Sequence, residues 1–317
     1  MKISVGLCTY NGEQHLHKQL DSIVTQTRKV DEIIVYDDRS SDNTWQILQD
    51  YQRKYPLLFH VKKNVKNLRS VKNFEQVLEV CTGDIVFLSD HDDIWAPQKV
   101  ERYISYFEKS YNTKVLCSNG HLIDEDDNIV DALTVWDVPK ILKERDGNID
   151  YFASMCYGGN IATGASMAIK KDYIQHILPI PLMEDFHHDE WIALISSHEN
   201  CFDSINEKLF YYRMHNQQQV GIISYPNTAN SRNNLYWNFS PLQDSSFSTI
   251  KRRIKKISLK YNRLLKAKEN LLMKKVLDDL TRTYYDLCRE LVKKHPIRGR
   301  LTILIDKLLN KRQLIKN

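Results

Sequence analysis

Four short apolar runs, each closed by a polar turn and separated by amphipathic stretches, fill the first ninety residues. They are Lys2–Thr9, Asp31–Tyr36, Phe59–Lys62 and Asp84–Ser89. Such short runs, rich in Val and Ile, read as buried strands. Between them, Glu13–Thr25 sets Leu16, Leu20, Ile23 and Val24 on one helical face. Asn43–Tyr55, with Asp42 as N-cap, and Val71–Cys81 read as further helices. Strand–helix alternation of this kind predicts an α/β fold: a mostly parallel sheet with helices on both faces. Ligands of such sheets bind beyond the carboxyl ends of the strands. The residues to read closely are therefore Thr9–Gly12, Asp37–Asp42 and Asp90–Asp93.

Composition removes several alternatives. With 10 Gly and 8 Pro among 317 residues and no fixed period, fibrous repeats are excluded. No window of 18 apolar residues exists, and the first ten residues lack a signal peptide's apolar core, so a cytoplasmic protein is expected. The six cysteines form no CxxC pair, which argues against a disulfide framework or structural zinc. There is neither a GxGxxG after the first strand nor a GxxxxGK[ST], which disfavours a dinucleotide dehydrogenase and a P-loop NTPase.

Ser89-Asp90-His91-Asp92-Asp93-Ile94-Trp95 packs three carboxylates into four residues directly after a buried strand. Like charges this close repel unless a cation neutralises them. Mg²⁺ or Mn²⁺ suits such a site and keeps positions open for phosphate oxygens. The alternative is an acidic turn capping a helix that starts near Pro97.

Thr9-Tyr10-Asn11, the Asp37–Thr44 stretch (DDRSSDNT) and Ser89–Trp95 (SDHDDIW), in this order and spacing, resemble family 2 glycosyltransferases. The resemblance covers about residues 1–220 and is nearest in motif style to the bacterial rhamnosyltransferase-like branch that builds polysaccharides. It implies the GT-A fold and transfer from a nucleotide sugar with inversion at the anomeric carbon. By resemblance, Thr9, Tyr10 and Asn11 line the nucleotide site, and Asp38 accepts from the base, with Asp37 as its rival. Asp90 contacts ribose or metal, and Asp92 ligates the metal. Asn67 and Lys72 belong to the next stretch; Lys72 is either a phosphate contact or a solvated helix residue, and Arg69 stands where glycine is common.

The second half of the site follows the small-residue segment Gly158–Ala168, which permits close backbone approach. By resemblance, Thr163 and Gly164 border the donor sugar. Phe186-His187-His188-Asp189-Glu190-Trp191 reads as a helix start whose dipole favours its acids. In the related branch an acid here is the general base, which makes Asp189 the expected base, Glu190 its rival and Trp191 a donor or acceptor contact. Arg213 is expected to neutralise diphosphate, and His215 to ligate metal or touch phosphate. Gln218 replaces an Asn of the related branch.

Charge divides the chain at about residue 248. Residues 249–317 carry 21 Lys+Arg against 6 Asp+Glu, a net of +15, which leaves 24 against 34, a net of −10, in residues 1–248. We therefore expect a catalytic domain at 1–248, with nucleotide-binding (1–115) and acceptor (116–248) halves, followed by a basic amphipathic helical region at 249–317. The Ile250/Ile254/Ile257 face of that region is expected to meet an anionic membrane; a helical cover or a homo-oligomer interface is the alternative. No nucleic-acid module surrounds the basic cluster. The expected activity is an inverting, metal-dependent transfer from dTDP-rhamnose or a UDP-sugar to a glycan or lipid-linked glycan of a bacterial surface polysaccharide. A non-catalytic sugar-nucleotide or polysaccharide binder and a glycoside hydrolase are the rivals.

Overall fold

The structure, a computed structural model, describes residues 1–215, 218, 221–241, 246–267 and 271–314. The first half alternates β1 (Ile3–Thr9), α1 (Leu16–Val24), β2 (Glu32–Asp37), α2 (Thr44–Lys54), β3 (Phe59–Lys63), α3 (Arg69–Val80) and β4 (Ile85–Ser89). β1, β2 and β4 are buried along their whole length, which explains their continuous apolar runs. Next come β5 (Ile94–Trp95), α4 (Lys99–Lys109), β6 (Val115–Ile123), β7 (Ile129–Val130), β8 (Ala132–Leu133), α5 (Val138–Asp146) and α6 (Tyr151–Tyr157). The remainder is β9 (Met167–Lys170), α7 (Lys171–Ile177), α8 (His188–His198), β10 (Phe202–Arg213), β11 (Tyr225–Pro226), α9 (Ala229–Phe239), α10 (Phe247–Leu264), α11 (Leu271–Lys294) and α12 (Pro296–Leu308).

The main sheet runs β3-β2-β1-β4-β9-β6-β10-β5. β1 pairs in parallel with β2 and β4, and β2 with β3. β9 is antiparallel to both β4 and β6, so it joins the nucleotide half to the second half of the same sheet. The expected α/β architecture holds, with boundaries shifted locally. α1 starts at Leu16 because Gly12–Leu16 first makes a turn, in which the His15 and Leu16 amides both donate to the Gly12 carbonyl. Asn43, not Asp42, occupies the N-cap of α2, yet the Asp42 carboxylate still accepts from the Thr44 amide at 3.0 Å.

Three non-glycine residues with positive φ gather at the carboxyl end of the parallel strands: Asn11 (48°), Arg39 (69°) and Arg69 (61°). Side chains in this region cost roughly 1–2 kcal/mol. Hydrogen bonds between loops hold all three, Arg39 by donating Nη1 to the Val65 carbonyl at 3.0 Å. Asn11 donates its amide to Ser40 Oγ and accepts from the Ser41 amide, and Arg69 donates its amide to Asp38 Oδ2. The glycine expected at position 69 is thus missing while the glycine-like backbone is kept. Arg69→Gly should raise stability by up to about 1 kcal/mol, read as a higher melting temperature; a lower one would show that the guanidinium contributes more than the strain costs.

The basic region does not stand apart. Ile250, Ile254 and Ile257 are 0–3% exposed and lie in one apolar core with Met155 of α6, Ile192 of α8 and Leu280 of α11. Each contributes about 1.5–3 kcal/mol by burial. The expectation that this face meets a membrane is therefore corrected: it is interior packing.

Candidate active site

The carboxyl ends of β1, β2 and β4 open on one edge of the sheet, and a cavity of about 930 Å³ runs from there past α8 to α10. At its first wall the two adjacent acids after β2 diverge. Asp37 is fully buried, accepts from Thr9 Oγ1 (3.0 Å) and from the Ser40 amide (3.0 Å), and does not line the cavity. Asp38 does line it. Its carboxylate accepts from the Leu68 and Arg69 amides and from Asn64 Nδ2, each at 2.8 Å. Tyr10 and Asn11 also face the cavity, as does Thr9. Asn67, expected at the nucleotide site, is exposed and does not line the cavity; it donates Nδ2 to the Asp38 carbonyl at 3.2 Å. Lys72 is not at the cavity either: it pairs with Glu75 at 2.6 Å, while its neighbours Asn73 and Phe74 supply the wall. Of its two readings, the helix-surface one fits this placement.

Asp90 and Asp92 line the cavity floor. Burial, then Asp92 and Asp189, push the Asp90 carboxyl up. Burial also opposes the charge on Asp92, but His91 and the His215 hydrogen bond outweigh it and hold that carboxyl down. His215 Nε2 lies 3.0 Å from Asp92 Oδ2. Asp93 points away into the core, 1% exposed. Arg213 is wholly buried beneath this loop. It donates Nε to the Asp92 carbonyl (3.0 Å) and Nη1 to the Asp124 carbonyl (3.1 Å), and pairs with Asp127. It does not line the cavity, so the expectation that it meets a diphosphate is corrected to a strut that shapes the acidic loop. Gln218 ties in from the side, donating to the Arg213 carbonyl.

Among the described residues no three His, Cys, Asp or Glu side chains stand ready to enclose a metal ion. The donor set fits a different kind of site. Crowded carboxylate oxygens, one of them destabilised as an anion, suit a hard cation that shares its shell with phosphate oxygens and water.

The opposite wall is the start of α8. Asp189 lines the cavity, and Asn160 Nδ2 approaches its Oδ2 at 3.4 Å. Burial raises its carboxyl to about 7. Glu190 also lines the cavity but is tied by two cations of α10, with Lys260 Nζ at 2.9 Å and Arg263 Nη1 at 3.6 Å. Trp191 is 0% exposed and donates Nε1 to the Ile177 carbonyl at 2.8 Å. It is a core residue, which corrects its expected substrate contact. His188 stacks on Phe74 with ring centroids 3.9 Å apart, and burial lowers it to about 3, so it is neutral.

Thr163 and Gly164 border the cavity between these walls. A Cβ at Gly164 would lie 2.8 Å from His188 Nε2 and 3.5 Å from Asp90 Oδ2. Gly164→Ala should therefore displace His188, the neighbour of Asp189 at the start of α8, and cut turnover at least ~10-fold, since small misplacements of reacting groups are costly. Wild-type steady-state rates in that variant would contradict the assigned role.

Two residues escaped the sequence reading. Asn160 is the polar neighbour of Asp189. Lys99 is fully buried, 4.0 Å above the Trp95 ring, with Nζ bonded to the Ala165 carbonyl at 2.5 Å and pushed down to about 7 by burial. It clamps the acidic loop to the Gly164 segment. Its spacing four residues before Tyr103 on the buried face of α4 was the available signal.

A model of glycosyl transferase family 2 matches residues 4–178. Over 218 residues, 68% of this chain and 71% of the relative, the sequence is 27% identical to an uncharacterized glycosyltransferase of Methanocaldococcus jannaschii. A glycosyltransferase of Nostoc sp. is 25% identical over 224 residues; that match covers 68% of this chain and 65% of the relative, so less than two thirds of the Nostoc protein is spanned. The dTDP-rhamnosyl transferase RfbG of Shigella flexneri is 33% identical over 102 residues, 31% of this chain and 35% of that protein. S. aureus TarS 1–349, solved in complex with UDP-GlcNAc, superposes with a TM-score of 0.54 at 16% identity, covering 90% of this chain and 73% of that one. The mannosyltransferase PcManGT of Pyrobaculum calidifontis, solved with GDP-Man and Mn²⁺, gives 0.51 at 13% identity over 97% and 75%. These two likenesses concern the fold. With the family model spanning more than half of its residues, the chain belongs to glycosyl transferase family 2.

Proposed function

We propose that the cavity catalyses inverting transfer of a sugar from a nucleoside-diphosphate donor to a hydroxyl of a glycan or lipid-linked glycan, in the building of a bacterial surface polysaccharide. The observation that carries this reading is the pairing of two acidic walls across one cavity. Asp38, Asp90 and Asp92 stand at the strand ends, and Asp189, a carboxyl raised to about 7, faces them from α8. A base poised near the working pH is what proton abstraction from a hydroxyl needs.

In the proposed reaction Asp189 takes the acceptor hydroxyl proton as that oxygen attacks the anomeric carbon. The new C–O bond forms as the bond to the diphosphate oxygen breaks on the opposite face, which inverts the centre. Asn160 orients the carboxylate. Asp38, fixed by two backbone amides, is the acceptor for a donor group on the base. Asp90 and Asp92, with His215 behind Asp92, would hold Mg²⁺ or Mn²⁺. Bound there, the ion supplies charge stabilisation to the departing diphosphate. Arg213 and Lys99 keep the loop in place from below.

The donor is proposed as dTDP-rhamnose or a UDP-sugar. The short match to RfbG supports the first, and the fold shared with a UDP-GlcNAc complex leaves room for the second. A screen of dTDP- and UDP-sugars for donor hydrolysis, followed by NMR of the transferred anomer, tests the reading. Inversion with at least one donor is expected. Retention, or release of sugar from an oligosaccharide with no nucleotide present, would overturn it.

A further inference from the structure

Helix α12 leaves more large apolar side chains uncovered than a helix that only packs on its own protein needs to. Its exposed side carries Ile297 (83%), Leu301 (54%), Leu304 (53%), Ile305 (41%) and Leu308 (75%). Their spacing of three and four residues makes one continuous stripe. The inward side carries Gly299, Thr302, Ile303 and Asp306, of which Ile303 packs on the apolar core. Gly299 lets the helix cross close to α11, where a Cβ would lie 2.6 Å from the Leu291 carbonyl oxygen. Asp306, 4% exposed, is paired with Arg312. A contiguous apolar surface of this kind marks a docking site.

The charges beside the stripe select its occupant. Arg300 and Lys307 are exposed along one flank, Lys311 is exposed just past the helix end, and Asp306, the helix's only acid, is turned inward. With 13 residues, α12 is too short to cross a bilayer. An apolar stripe flanked by basic residues instead suits a helix lying in the interface plane of an anionic membrane, its apolar side chains among acyl chains and its cations at headgroup phosphates. A second copy is a poorer occupant, because antiparallel stripe-to-stripe pairing would bring two basic flanks together and a parallel pairing would leave both without an acidic partner, Asp306 being turned inward.

We propose that α12 is a membrane-docking helix that holds the protein against anionic lipid through Ile297, Leu301, Leu304, Ile305 and Leu308, assisted by Arg300, Lys307 and Lys311. This moves the contact away from the buried Ile250/Ile254/Ile257 face of α10. It stands whether or not the proposed transfer reaction does, since it uses no residue of the cavity.

The test is co-sedimentation of the full chain with phosphatidylcholine vesicles and with vesicles of roughly 70:30 phosphatidylcholine to phosphatidylglycerol. At about 50 mM salt, where screening is weak, the protein should pellet with the second kind only. Leu301→Ser/Leu304→Ser/Leu308→Ser should cut the bound fraction at least ~10-fold, with melting unchanged because these residues are exposed. Arg300→Gln/Lys307→Gln/Lys311→Gln should lower binding and flatten its salt dependence. Failure of the wild type to pellet with anionic vesicles overturns the proposal, as does wild-type pelleting by the triple Ser variant. Light scattering that shows a dimer made monomeric by the triple Ser change would assign the stripe to self-association instead.

Discussion

Replacing Asp189 with Asn should lower kcat by roughly 10²–10⁴, the usual scale of general-base help, while nucleotide-sugar binding stays within about twofold of wild type. The Asn keeps the shape of the side chain and removes its ability to take a proton. In the wild type, activity should climb as pH rises through about 7 and fall away below it, where Asp189 is protonated. Glu190→Gln should keep most of the turnover, because that carboxylate is occupied by Lys260 and Arg263. Loss of turnover in Glu190→Gln with retention in Asp189→Asn would shift the base by one residue. A stability difference should accompany the loss of activity. Asp189 binds its proton more tightly when folded than when unfolded, so folding is favoured at low pH, and that advantage is lost as pH rises from about 4 to about 7. Asp189→Asn should therefore melt higher than wild type at about pH 8, and the gap should close near pH 4.

Asp92→Ala should remove the metal-dependent part of donor affinity, a loss of roughly 10–100-fold. Asp92 is the acid of the cluster held most firmly as an anion, bonded to His215 at 3.0 Å on a loop braced by Arg213. Chelation should stop wild-type turnover, and added Mn²⁺ or Mg²⁺ should restore it. The Ala variant should bind nucleotide with the same weak affinity whether or not the ion is present. An undiminished metal effect in that variant would remove Asp92 from the site.

Much of the nucleotide half is legible in the sequence, because buried parallel strands write themselves as short apolar runs. Polar residues at their carboxyl ends then fall on one edge of the sheet, where Thr9, Asp38 and Asp90 are found. Charged residues mislead where the fold buries them. Arg213 looks like a phosphate ligand in the chain, but its buried guanidinium turns to backbone carbonyls and to Asp127. Lys99 looks solvated yet is fully buried under the acidic loop. Trp191 is equally ambiguous, since an aromatic beside an acid serves a sugar or a core with the same letters. In the basic region α10 and α12 both show helical periodicity. Only packing decides that the stripe of α10 is covered and that of α12 is not. The ion pairs of Glu190 are likewise invisible in the sequence, because Lys260 and Arg263 reach it from about seventy residues away.

Calorimetric titration of UDP and dTDP into the wild-type protein, with and without Mn²⁺, asks most directly whether this cavity is a metal-assisted nucleotide-sugar site. Binding of at least one of the two, tightened by roughly tenfold or more when Mn²⁺ is present, is the predicted result. No binding of either nucleotide under both conditions would contradict it.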